Sequence, residues 1–379
     1  MPWGTRGIVS LREEFVQLAM KPDSNISSLC RRYEISRKTG YKWLERAAES
    51  LTSSRPLQDQ SRRPHSSPGQ TPAQIEARVV QLRQERPQWG GRKLKRVLED
   101  SGLTTVPAPS TITGILHRNG LIKAEESEKH GAFQRFERAA PNELWQMDFK
   151  GHFAVDTGRC HPLTILDDHS RYALGVFACA NERGSTVREH LVTVFRRYGL
   201  PQAILCDNGA PWGTAGADER HTELTVWMLQ IGVSVLHGRP YHPQTQGKDE
   251  RFHRTLKAEV LTQRFENLPR CQIRFDNWRP EYNWVRPHHA LNLDVPGKHY
   301  HSSRREYTER LPVADYGGAG VEVRKVDENG SISLWGERWK IGQAFSGQRV
   351  AIEATLTENV YHVIFHGHVI KKLDRTSAQ

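Results

Sequence analysis

The chain has 379 residues, 37% of them hydrophobic, which is enough for two or three domains with separate cores but lean for one globule. No run of about 18 apolar residues and no apolar leader occurs, so neither a transmembrane helix nor a secretion signal is expected, and a cytoplasmic setting is. The net charge of +11 is uneven, with 24 Lys and Arg against 15 Asp and Glu in residues 1–140 and 30 against 28 in the rest, and a basic excess on small modules favours nucleic acid as partner over a membrane.

Residues 10–22 carry Leu11, Phe15, Leu18 and Ala19 at helical spacing. Ser24 or Asn25 can cap a second helix over 26–33, and Ser36 a third over 37–49. Three short helices with brief connections outline a helix-turn-helix module over 1–50, with a plain three-helix bundle as the alternative. The last helix would enter the major groove and present Arg37, Lys38, Thr39, Tyr41 and Lys42 near its start, with Trp43 and Leu44 turned inward. Residues 51–72 are rich in Ser, Pro and Arg and read as a flexible basic linker. A second helical set, residues 73–122, has apolar positions Ile75, Val79, Val80 and Leu82, then Leu94, Val97 and Leu98. Ser110 could cap its last helix over 111–117, which Gly120 would stop. Ser110, Thr111, Thr113 and His117 form its candidate reading face. Residues 123–140 read as a second linker.

From Pro141 the texture changes. Strands are expected at 143–150, 160–167 and 171–180, a helix at 187–198, a buried strand at 202–206, a helix at 222–231 and a strand at 233–236. A helix from Lys248 follows, with Phe252, Leu256 and Val260 as its apolar stripe. That order of elements is a mixed α/β sheet. Residues 263–289 read as helical and aromatic. Beyond a polar stretch at 297–310, four period-two segments and the hairpin signal Asn329-Gly330 suggest a small β-barrel of about five strands over 301–379. The five cysteines are scattered without a CxxC pair, which argues against a disulfide framework or a cysteine zinc site.

Three carboxylates stand in telling places. Asp148 sits inside an otherwise apolar strand, where an unpaired charge is costly. Asp207 follows a buried strand, where α/β sheets place functional groups, and Asn208-Gly209 makes a tight turn after it. Glu250 lies in the first turn of a helix, beside His253, Arg254 and Lys257 on a neighbouring face. Hard oxygen ligands of this kind suit Mg²⁺ or Mn²⁺. Asp249 points instead toward the Phe252 stripe. It reads as a first-turn acid favoured by the helix dipole, or as a supporting ligand. Asp167 and Asp168 read as turn residues.

Five motifs, in order, resemble the bacterial insertion-sequence transposases with a retroviral-integrase-type core: Trp145-Gln-Met-Asp148, Asp167-Asp-His-Ser-Arg-Tyr172, Leu205-Cys-Asp207-Asn-Gly209, His242-Pro-Gln-Thr-Gln-Gly-Lys-Asp-Glu250-Arg-Phe-His-Arg-Thr-Leu-Lys257 and Tyr282-Asn-Trp-Val-Arg-Pro-His288. The resemblance covers about residues 140–300 and implies an RNase H-like catalytic core over 141–300. It implies metal-dependent 3′-end cleavage and strand transfer of DNA, with Asp148, Asp207 and Glu250 as a catalytic and metal-binding triad for two Mg²⁺ (or Mn²⁺) ions. It places Lys248, His253, Arg254 and Lys257 against the DNA backbone, and makes Arg286 and His288 a brace for the catalytic helix or for DNA. The partners it implies are double-stranded DNA, at the element ends and the target, and a second copy of the chain, because two ends must be joined. The setting it implies is bacterial and nucleoid-associated. Asp207 and Glu250 are separated by 42 intervening residues, longer than the family's usual interval, and the loop from Pro211 accounts for the excess. The competing readings are a catalytically silent DNA-binding regulator of the same descent, and an RNase H-like nuclease without strand transfer.

Overall fold

A computed structural model describes residues 7–48, 57–59, 69–122, 137–213, 221–238, 247–317 and 321–377. Most of the two linker stretches, the end of the loop after Pro211, and the His242–Gln246 half of the fourth motif lie outside the described residues. The chain divides into two compact units, residues 1–70 and 71–379.

The first unit holds α1 (Ile8–Ala19), α2 (Ile26–Arg32) and α3 (Arg37–Ala48). Both expected caps form: Asn25 accepts from the Ser28 amide at 3.0 Å, and Ser36 from the Thr39 amide at 3.1 Å. Phe15, Val16, Cys30 and Trp43 make the core. Gly40 is required where α3 meets α2, since a Cβ there would lie 2.6 Å from the Cys30 sulfur. Leu11, expected on the inner face of α1, is exposed, because the buried stripe runs through Phe15 and Val16.

The second unit opens with α4 (Ala73–Glu85), α5 (Gly91–Asp100) and α6 (Pro109–Arg118), packed through Val79, Leu82, Trp89, Leu94, Leu98, Ile112, Ile115 and Leu116. Ser110 is not the cap: Pro109 takes the first helical position, where its missing N–H costs nothing, so the helix starts earlier. Gly120 ends α6 with a left-handed φ of 66°, as its position required. Arg83 is buried and donates to the carbonyls of Trp89 and Leu121 at 2.9 and 3.0 Å, tying the module's turns together.

The central sheet contains β1 (Leu144–Phe149), β2 (Phe153–Val155), β3 (Gly158–Asp167), β4 (Ala173–Cys179), β5 (Ala203–Cys206) and β6 (Ser234–His237). Its order is β4-β3-β1-β5-β6, with β2 pairing the start of β3. β3 runs antiparallel to both of its neighbours, β1 and β4, while β5 and β6 run parallel to β1. One face is covered by α7 (Gly184–Tyr198) and α8 (Glu223–Gln230), which meet Trp145, Met147 and Ile204. The other face is covered by α9 (Gly247–Glu259) and α10 (Leu268–Trp284), through Phe252, Leu256, Val260, Phe275 and Trp278. After α10 the chain returns over the first face, where Tyr300 and Tyr307 pack. Arg305 there donates to the Pro201 and Gly232 carbonyls at 2.5 Å each.

The C-terminal strands form no closed barrel among the described residues. β7 (Glu322–Lys325), β10 (Arg349–Ala354), β11 (Val360–Phe365) and β12 (His368–Asp374) make a four-stranded sheet in the order β12-β11-β10-β7, and β8 (Ser331–Leu334) with β9 (Glu337–Lys340) a separate hairpin. A tight turn does form at Asn329-Gly330, but the strands on either side of it go to different sheets. The hairpin turn is Trp335-Gly336, both at positive φ, as a two-residue hairpin loop needs. This domain shares its core with α8, whose Val226 and Leu229 pack among Ile332, Val350 and Phe365.

Candidate active site and its braces

β1 and β5 run parallel with Gln146 opposite Leu205. Side chains alternate along strands, so that register continued by two residues sets Asp148 beside Asp207. Trp145 and Met147 face α7, which leaves Asp148 on the side that α9 covers. Burial, and then the negative charge of Asp207, push the Asp148 carboxyl up to about 7. Asp207 is held by its own turn, where its Oδ1 accepts from the Gly209 amide at 2.9 Å. The His237 ring donates to the Asp207 carbonyl at 2.9 Å.

Two adjacent carboxylates, one largely desolvated, cannot both ionise cheaply without a cation. Their all-oxygen donor set fits Mg²⁺ or Mn²⁺. Glu250 is not gathered with them. It lies on the exposed face of the first turn of α9, and among the described residues no three acidic, His or Cys side chains are grouped for a metal ion. Its neighbour Asp249 faces inward, 3% exposed, as the helical wheel required. Burial, followed by the charges of Asp148 and Asp168, holds the Asp249 carboxyl well above the usual carboxylate range. Its Oδ1 is buried with no hydrogen-bond partner among the described residues.

Two residues expected at the DNA backbone are turned into the protein. Lys248 places Nζ 2.5 Å from Oδ1 of Asp168 and 3.2 Å from the Asp168 carbonyl. Asp168 is fully buried and also accepts from Gln146 Nε2 at 2.7 Å and the Arg138 amide at 2.9 Å. This cluster fixes the first turn of α9 to the end of β3. His253 sits against the sheet, with Nε2 2.7 Å from Oγ1 of Thr164. That hydroxyl donates its one proton to the Asp148 carbonyl at 3.0 Å, so it accepts from the imidazole. Burial, then the charge of Lys150, lowers His253 to about 4, which keeps it neutral. Arg254 and Lys257 are exposed.

Arg286 reaches the far end of α9. Its Nε lies 2.9 Å from Glu259, whose carboxylate also accepts from the indoles of Trp278 at 2.9 Å and Trp89 at 3.3 Å. Arg286 therefore braces α9, the protein-side role among the two that its motif implied. Trp89 belongs to the α4–α6 module, so that module is docked on the catalytic layer, with Arg86–Glu281 at 2.7 Å as a second tie. Neither Glu259 nor Trp89 was singled out by sequence, because their partners are remote along the chain. Asp167, expected in a turn, is the buried last residue of β3, and its carboxylate accepts from the amides of Asn142 and Ser170. On α3, Arg37, Lys38, Tyr41 and Lys42 are exposed and Thr39 is half-buried. On α6, Ser110, Thr111, Thr113 and His117 are exposed.

Residues 138–243 match an integrase core domain, and residues 231–296 match a second model of that description. Residues 321–379 match the C-terminal domain of IS481 family transposases, and residues 39–116 a homeodomain-like domain. The chain is 26% identical over 245 residues to an uncharacterized 31.7 kDa protein of insertion element IS407 from Burkholderia multivorans, covering 63% of this chain and 84% of that protein. It is 24% identical over 248 residues to a putative transposase for insertion sequence element IS5376 from Geobacillus stearothermophilus, covering 62% and 60%. Among solved structures it is similar to the catalytic core domain of BIV integrase, at 20% identity over 41% of this chain and 92% of that one, with a TM-score of 0.31. By these matches and by its own motifs, the chain carries an integrase core domain and the C-terminal domain of IS481 family transposases, and it is similar to bacterial insertion-sequence transposases.

Proposed function

We propose that the chain binds the terminal inverted repeats of a mobile element as double-stranded DNA, cleaves their 3′ ends and transfers them into target DNA. The observation that carries this reading is the pairing of Asp148 with Asp207 at the ends of two parallel strands. Asp148, Asp207 and Glu250 hold Mg²⁺ in the proposal, two ions in all. When bound, the metal supplies Lewis acidity for activating first a water and then a 3′-hydroxyl. Lys248 and Asp168 hold the first turn of α9, which carries Glu250. Arg254 and Lys257 meet the phosphates from its exposed side, and α3 and α6 read the element end. Two ends must meet for joining, so at least two copies assemble on DNA.

The test is strand transfer on linear duplexes carrying the sequences that flank the gene. Asp148→Ala, Asp207→Ala and Glu250→Ala are each expected to abolish cleavage and joining while end binding persists. Full Mg²⁺-dependent activity of any one of them removes that acid from the triad. One observation favours a second reading, a catalytically silent DNA-binding regulator: Glu250 stands apart from the two aspartates. In that case the unaltered chain binds the ends and joins nothing.

A further inference from the structure

A cavity of about 490 Å³ lies where α5, α6 and the segment after α10 meet. Arg92, Lys93, Ser110, Thr113 and His289 line it, and none of the acids discussed above does. Its charge is one-sided. His289 is lowered by burial and then by the cations of Lys93, Arg92, Arg251 and Arg286. Lys93 is lowered to about 7 by burial first and Arg286 next, with Glu259 as the opposing acid. Glu259 is already engaged by Arg286 and two indoles. Three basic groups therefore line the space, with the charges of Arg251 and Arg286 near enough to act on them and the opposing carboxylate already committed.

The backbone adds to this. Neither α5 nor α6 carries a side-chain cap, and the first turns of both line the cavity. Gly91 fixes their approach, since a Cβ there would lie 2.6 Å from the Pro109 carbonyl oxygen and 2.7 Å from Thr113 Oγ1. Two positive helix ends thus share a wall with the basic side chains.

We propose that this cavity is a binding site for a backbone phosphate of double-stranded DNA, held by Arg92, Lys93 and His289 with Arg251 behind them. The proposal rests on the transposase reading and deepens it. The exposed face of α6 begins at the cavity wall, and Arg251 directly follows Glu250 in α9. A duplex read by α6 lays its backbone here on the way to the catalytic helix. The site is a fixed link between recognition and chemistry, because the module is docked through Trp89 and Arg86.

The test uses the full chain and two labelled linear duplexes, one carrying the sequence that flanks the gene and one scrambled, with affinity measured by fluorescence anisotropy across salt concentrations. Three variants are compared: Arg92→Ala with Lys93→Met, His289→Ala, and Gly90→Asp at the open, uncapped start of α5. The third puts an acid where the helix dipole favours it, so it weakens DNA binding without a folding defect, which a thermal melt checks. Each is expected to weaken both duplexes by the same factor. The double variant is expected to lower the slope of log affinity against log salt by roughly 0.9 for each phosphate that the protein no longer neutralises. An unchanged slope, or a weakening confined to the flanking sequence, overturns the site and leaves the transposase reading standing. If the unaltered chain binds neither duplex, both fall.

Discussion

Lys248 shows how a side chain that reads as a DNA contact can serve the fold. Its partner Asp168 is fully buried, and removing one member of such a pair strands the other charge in a dry site. Lys248→Met is expected to cost about 3–5 kcal/mol, with Asp168→Asn recovering part of it in the double variant, as read by urea unfolding. His253 gives a pH signature. Its folded value of about 4 lies below the ordinary value near 6.5, so the unfolded chain binds the proton first. The stabilisation is complete above pH 6.5 and is lost as pH falls through 4. On the order of 3 kcal/mol is expected to separate the two ends of that window, and His253→Asn is expected to flatten it in urea melts at pH 4 and 7. Asp148 was legible in sequence because a lone acid in an apolar strand is costly unless a cation or strong donors meet it. The inward turn of Lys248 and His253 was not, because their partners Asp168 and Thr164 lie 80 and 89 residues away.

At the scale of elements, α9 is held at both ends, by Lys248 at its start and by Glu259 at its last residue. The Glu259–Arg286 pair is about one-eighth exposed on each side, at 13% and 12%. The Arg270–Glu266 pair is open to solvent, at 66% and 73%. Glu259→Ala is accordingly expected to destabilise the chain by about 3–5 kcal/mol, and Glu266→Ala by less than about 1 kcal/mol, in parallel denaturant titrations. The strands and helices of the core were readable because each carries its own period, four residues for Phe252, Leu256 and Val260 and two for β1. β2 has three residues, too few to show a period. Closure of the C-terminal strands was not legible for a different reason. Alternation reports that a strand has two faces, whereas closure depends on register and stagger between strands, which no single segment encodes.

The whole molecule divides at residue 70, and each part closes its own apolar core. A fragment of residues 71–379 is expected to fold alone, with a cooperative thermal transition by circular dichroism. It is also expected to keep salt-dependent DNA binding and the part of the proposed end recognition assigned to α6, while losing the part assigned to α3. All five cysteines are free and buried. They are spread over three cores: Cys30 in the first unit, Cys179 and Cys206 in the layer under α7, and Cys160 of β3 with Cys271 of α10 in the layer between those two elements. A thiol reagent reaches each sulfur only when its own layer opens. The chain therefore carries a native clock with five positions. The order in which they are alkylated, resolved by peptide mass, gives the order in which its layers breathe, and a DNA duplex bound along α9, as proposed, is expected to slow Cys160 and Cys271.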